Sequence, residues 1–209
     1  MRKDTILKGF LTGLFLQLAI GPVFIFILNL SLQYGLKTGL FAVLGVILVD
    51  YLFILLAIFG VGKLLEIEKI SKVFSIISSI VLIIFGMILL YKGAKYNFNE
   101  QIETDNISYF QSFGSTFILT ISSPLTILFW TSIFTSKSIE YSLSKKELIF
   151  FGLSAGFATV VFLGTAVFIF SFLNTLVPII LIKVLNLIVG LILVGFGVIR
   201  IIKDFKKSA

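Results

Sequence analysis

Three features of the chain could do chemistry. Asp50 sits near the middle of an apolar stretch running over about 38–62, and it is the only acidic residue in any of the apolar stretches. A carboxylate at mid-depth in a bilayer costs about 2.5–3.5 kcal/mol on insertion scales, so it must face something that repays its presence. It can hold a proton, a cation or a substrate ammonium, or it can be a neutral acid hydrogen-bonded to a nearby Ser, Thr or Asn. The other two features are breaks, at Ala19-Ile20-Gly21-Pro22 and at Ser122-Ser123-Pro124. Proline removes a helix donor and clashes with the carbonyl one turn back. In hydrocarbon the freed groups need a partner inside the protein, so a broken helix there lines a buried or wet cavity. The half-helix after each break starts with unpaired N–H groups at its positive end, which suits a carboxylate. A plain kink satisfied by Thr120, Ser122 or Thr126 is the alternative.

These features need a scaffold, and composition says which kind. The chain is 58% hydrophobic and 13% charged, with a mean hydropathy of +1.15. That composition belongs to a polytopic membrane protein. His and Cys are both absent, which excludes imidazole acid–base catalysis, thiolate chemistry, disulfides and His- or Cys-ligated metals. No enzyme, cofactor or metal site is expected. The net charge of +7 reads as lysines that fix orientation in the bilayer and not as nucleic-acid binding.

Six spans of bilayer-crossing length follow, at about 6–30, 38–62, 73–91, 112–136, 148–171 and 179–201. Asn29, Ser31, Gln33 and Gly35 form the polar exit of the first. Charged connectors run over 63–69 and 137–147, and 94–111 is the only long polar stretch. The expected organisation is therefore all-α: a first three-helix repeat over 1–93, a polar linker over 94–111 and a second repeat over 112–209, with Pro-broken first and fourth helices. Shifted by 111 residues, Lys72, Gly86 and Lys92 fall on Lys183, Gly197 and Lys203; shifted by 102, Pro22 falls on Pro124. Three spans per half is an odd number, so the second half would be inverted, an arrangement found in transporters with binding sites between the halves. With the N-terminus inside, 13 of the 17 Lys and Arg fall on the cytoplasmic side and 4 outside, which puts both termini in the cytoplasm.

Helical spacing sets Gly39, Val43, Val46, Phe53, Ala57 and Val61 on the stripe of Asp50, and Gly39 and Ala57 would admit a close neighbour. Gly35-x-x-x-Gly39 and Gly152-x-x-x-Gly156 are small-residue contact motifs. Gln17, Asn29, Thr159 and Asn186 are either interhelical glue or substrate contacts. Trp130 reads as packing or an interfacial anchor.

Ala19-Ile20-Gly21-Pro22, the exit with Gly35 and Lys37, then Gly39-Leu40-Phe41-Ala42-Val43-Leu44-Gly45 and Asp50, resemble the LysE/RhtB-type translocator family. The second half agrees, with a Pro-broken fourth span after a polar linker and a Gly-rich last span. The resemblance implies export of amino acids or similar small zwitterions across the cell membrane of a prokaryote. Coupling would be to a proton gradient or the membrane potential, and a homodimer is compatible with it. Asp50, Gly21, Pro22, Asn29, Ser122, Ser123 and Pro124 are then the expected substrate and coupling-ion residues. Family members usually carry Asn before the fourth-span proline; Ser123 stands here, so no amide role transfers. Members also tend to place basic residues after odd-numbered spans, whereas this chain places them after even-numbered ones, and its own charge count is followed. An exporter of inorganic divalent cations is the alternative, although such ions take several oxygen ligands, usually from more than one carboxylate.

Overall fold

Each of the chain's three prolines starts a helix, where a missing N–H costs nothing. Pro22 follows the extended Gly21 and opens α2 (Pro22–Ile58). Pro124 follows the extended Ser123 and opens α5 (Pro124–Glu140). The carbonyl of Pro178 accepts from Leu181 and Ile182 at the start of α7 (Ile179–Lys206). The remaining helices are α1 (Lys3–Gln17), α3 (Glu68–Lys95), α4 (Tyr109–Ile121) and α6 (Lys145–Leu173). This computed structural model describes residues 3–17, 21–59, 68–95, 107–173 and 178–206, and among them there are seven helices and no strand. Residues 63–67 of the first charged connector, most of the expected linker (96–106) and Ala19 and Ile20 of the first break lie outside the described residues.

Among the described residues, four helical stretches are long and apolar enough to cross a membrane: Pro22–Ile58, Lys72–Ala94, Lys145–Leu173 and Ile180–Lys203. A fifth arises if the pair α4 and α5, bent by 61° at Ser122–Pro124, is taken as one broken span. By this measure the expected six are four or five, because α1 is a short piece of 15 residues and α2 runs on for 37.

Inside α2, Gly35 has φ 79° and ψ −172°, a conformation open essentially to glycine alone. A Cβ on Gly39 would lie 3.0 Å from the Cβ of Ser31, eight residues back, whereas a straight helix would separate them by about 12 Å along its axis. The chain therefore doubles back at Gly35. Asn29 and Ser31, expected at a polar exit, stay helical and buried ahead of this corner.

Close contacts fix how the helices run. Gly9 and Gly13 of α1 lie against Phe151 and Ala155 of α6, so these two helices are parallel. Ser112 Oγ of α4 donates to the Thr38 carbonyl at 2.8 Å and Thr116 Oγ1 to that of Ala42 at 2.7 Å, so α4 runs parallel to α2 beyond Gly35. Ile54 and Tyr51 meet Gly152 and Gly156 in reverse order, which makes α2 and α6 antiparallel. Gly86 lies on Gly190 and Val194, and Gly197 on Ile83 and Ser79, so α3 and α7 are antiparallel as well. Two apolar cores result, one around Phe26, Ile27, Val43 and Leu193, the other around Val49, Phe53, Trp130 and Phe151.

Candidate functional site

The second core holds the carboxylate. On α2 beyond the corner, Leu40, Leu44, Leu48, Leu52 and Leu55 face outward, and Gly39, Val43, Val46, Asp50 and Phe53 face inward, as the helical spacing requires. Ala57 is only partly buried, and Val61 lies outside the described residues. Asp50 is 5% exposed.

Two donors from different helices meet it. The Trp130 indole N–H of α5 donates to Oδ1 at 3.3 Å, and the Thr159 hydroxyl of α6 donates to Oδ2 at 3.2 Å. Thr159 Oγ1 in turn accepts from Gln17 Nε2, at the end of α1, at 2.7 Å. Among the described residues no lysine or arginine pairs with Asp50. The apolar cluster that contains Trp130 also holds Val49, Phe53, Ile127, Phe134 and Phe151. Trp130 fulfils the packing expected of it, against Phe134, but it is also a direct partner of the acid, which the sequence did not reveal. The close approach of α6 that brings Thr159 to Asp50 depends on Gly152 and Gly156, where a Cβ would meet Ile54 at 2.7 Å and Tyr51 at 2.5 Å.

Residues near both breaks in sequence take part in this group. Gln17 stands four residues before Gly21, and Trp130 six residues after Pro124. At the first break, Gly21 has φ −119°, which any residue adopts, and a Cβ there would meet nothing within 4 Å; proline, not glycine, makes this break. Neither N-cap supplies a side-chain hydrogen bond to the helix it starts. Thr120 Oγ1 is turned back to the Thr116 carbonyl. The Ser122 and Ser123 amides bond to the Ile118 and Thr120 carbonyls, which closes α4, and the Ser123 carbonyl accepts from Thr126.

Asn29 belongs to a separate polar cluster. It donates to Asn186 Oδ1 of α7 at 3.0 Å, and Gln33 Nε2 donates to Asn29 Oδ1 at 2.6 Å and Asn186 Oδ1 at 2.8 Å. Asn186 Nδ2 returns a bond to Gln33 Oε1 at 3.2 Å. Of the expected residues, the fold thus links Asp50 to Trp130 and, through Thr159, to Gln17, and binds Asn29 into the amide cluster. An apolar groove of about 410 Å³, lined by Leu44, Ile47, Leu48, Tyr51 and Phe113, opens on the outward face of α2, the side away from the carboxylate.

Comparison with known proteins agrees with the resemblance. The family model described as "LysE type translocator" matches residues 14–204. Proteins named leucine efflux protein from Salmonella typhimurium (strain LT2), Salmonella typhi and Salmonella choleraesuis (strain SC-B67) are each 29% identical over 197 residues, covering 88% of this chain and 89% of the relative. No solved structure matches. The chain belongs to the LysE-type translocator family.

Proposed function

We propose that the protein is a secondary exporter of neutral, apolar amino acids across the plasma membrane, with Asp50 as the site of the cargo ammonium or of a coupling proton. The observation that carries this reading is the meeting at Asp50 of donors that flank both helix breaks, Gln17 through Thr159 on one side and Trp130 on the other. In this scheme the half-helix starts at Gly21-Pro22 and Ser122-Ser123-Pro124 take the carboxylate end. One buried carboxylate in an apolar core suits a zwitterion whose side chain carries no charge. Leucine, the cargo named for the relatives, fits that description. Asn29 serves as a secondary contact where the amide cluster opens.

The proposed architecture has six crossings in two inverted halves, 1–93 and 112–209, with both termini in the cytoplasm. Three observations support it. The corner at Gly35 divides α2 into two antiparallel segments, and the helix directions alternate consistently along the chain. The pairing of α1 with α6 is matched by that of α4 with α2. At the α3–α7 crossing, Gly86 lies on Val194 and Gly197 on Ile83, and a shift of 111 residues turns one contact into the other. Energy comes from the proton gradient or the membrane potential. The cation-exporter alternative is the weaker one, because no group of three or more acidic side chains gathers among the described residues.

The test is growth and export under dipeptide feeding, which loads the cytoplasm with amino acids that an exporter must clear. Wild type relieves toxicity of leucine-containing dipeptides, and Asp50→Asn, present in the membrane at equal amount, does not. Equal relief by both would remove Asp50 from the mechanism; relief by neither, with protection against a divalent metal, would turn the assignment to cations.

A further inference from the structure

We propose that Trp130 is the latch through which occupancy of Asp50 sets the position of α5. The inference rests on the reading of Asp50 as the site of the cargo ammonium.

Asp50 is almost wholly buried, and each of its oxygens already has a donor. With the carboxylate this deeply buried, an incoming ammonium reaches it only if one of the groups around it moves aside, and Thr159 and Trp130 are the two bonded to it. Thr159 is poorly able to do so. Its helix is seated on the Ile54 and Tyr51 side chains of α2 at Gly152 and Gly156 and backbone to backbone on α1 at Gly9 and Gly13, and its hydroxyl is also held by Gln17. Trp130 is differently placed. The indole N–H can only donate, and both bonds to the carboxylate are long, 3.3 Å from Trp130 and 3.2 Å from Thr159, so the seating of the two helices decides which donor gives way.

The helix that carries Trp130 is built to move. α5 contains no glycine and packs mainly on α2, and it meets α6 through Phe134, edge-on to Phe151 at 5.6 Å. It starts at Pro124, after a 61° bend, and stops just before Ser142, whose φ of 49° is the only positive value at a non-glycine residue among those described. The segment from Pro22 to the corner at Gly35 has the same boundaries, a proline at its start and a positive φ at its end. In α5 those boundaries are two natural pivots, and Trp130 is the polar bond that holds the helix to α2 between them. When an ammonium takes Oδ1, the indole is released and α5 swings away; when cargo leaves, the indole returns and closes the site. Trp130 is thus a positioning residue for transport.

Trp130 is the only tryptophan of the chain, so its emission reports on the latch directly. The purified protein in detergent micelles is titrated with leucine and, separately, with N-acetyl-leucine, which has the same side chain and no ammonium. Leucine is expected to change the emission saturably in wild type, N-acetyl-leucine to leave it unchanged, and Asp50→Asn to abolish the response. Trp130→Phe keeps a ring against Phe134 and removes only the N–H. It is expected to lower the maximal leucine export rate about tenfold or more, with the half-saturating leucine concentration unchanged or lower. An emission indifferent to leucine in a wild type whose leucine export needs Asp50 would overturn the latch and leave the Asp50 assignment standing. The same response in Asp50→Asn as in wild type would overturn it too. Wild-type export by Asp50→Asn would overturn both.

Discussion

A Cβ placed on Gly13 would lie 2.3 Å from the carbonyl oxygen of Ala155, so α1 and α6 touch backbone to backbone at this level. No side-chain rotation relieves such a clash. Gly13→Ala is therefore expected to push α1 off α6, lengthen the Gln17–Thr159 bond one turn further on and destabilise the protein by about 1–3 kcal/mol. Gly164→Ala on the same helix α6 is the control: its Cβ would meet nothing within 4 Å, and alanine is the better helix former. Thermal unfolding in detergent should show a lower midpoint for Gly13→Ala and an unchanged or slightly higher one for Gly164→Ala.

Thr159 both gives and receives: its hydroxyl donates to Asp50 and accepts from Gln17, so it ties the end of α1 to the carboxylate. Thr159→Val keeps the shape and leaves the buried Asp50 carboxylate and the half-buried Gln17 amide each short of a partner, at about 1–3 kcal/mol. The proposed leucine export should fall by an order of magnitude or more, and Thr159→Ser, which restores the hydroxyl, should recover most of it. Efflux from preloaded cells at matched expression checks both variants. Equal loss in Ser and Val would mean that the methyl group matters and the hydroxyl does not.

Much of this site was legible in the sequence, for reasons of cost. An acid in an apolar span and a proline inside one are expensive enough to stand out; Asp50 is buried, and Pro22 and Pro124 each open a helix. Spacing along a single helix was legible too, which is why the inward stripe Gly39, Val43, Val46 and Phe53 came out correctly. What spacing cannot say is which residues of other helices meet that stripe. Trp130 lies 80 residues from Asp50 and Thr159 109, and an aromatic in an apolar span looks the same whether or not its N–H has an acceptor. For the same reason Asn29 and Ser31 passed for a polar exit, although their partners are Asn186 of α7 and the Val167 carbonyl of α6. Gly35 was misjudged differently. Paired with Gly39 it has the pattern of a contact motif, but Gly39 alone makes the contact, and Gly35 turns the chain.

That turn has its own consequence. Nothing lies within 4 Å of a Cβ at Gly35, so any penalty for substitution comes from the backbone alone. Gly35→Ala should cost about 1–3 kcal/mol. Ser142, at φ 49°, is the opposite case: a side chain already sits in a left-handed conformation, and Ser142→Gly should stabilise the protein by about 1 kcal/mol. Unfolding midpoints of the two variants should therefore move in opposite directions. A neutral Gly35→Ala would mean that the chain turns at Gly35 without needing its positive φ.

The α3–α7 crossing offers a test of the proposed inverted halves that does not depend on transport. A Cβ at Gly86 would meet Val194 at 2.7 Å and the Gly190 carbonyl at 2.8 Å; one at Gly197 would meet Ile83 at 2.7 Å and the Ser79 carbonyl at 2.8 Å. The two environments are the same contact seen from either helix. Gly86→Ala and Gly197→Ala should then destabilise by equal amounts, about 1–3 kcal/mol each. Because both separate the same pair of helices, the double variant should cost less than the two losses combined. A double-variant unfolding cycle measures this. Markedly unequal single losses would show that the crossing is not governed by the two-fold relation, and the repeat would then rest on the chain directions alone.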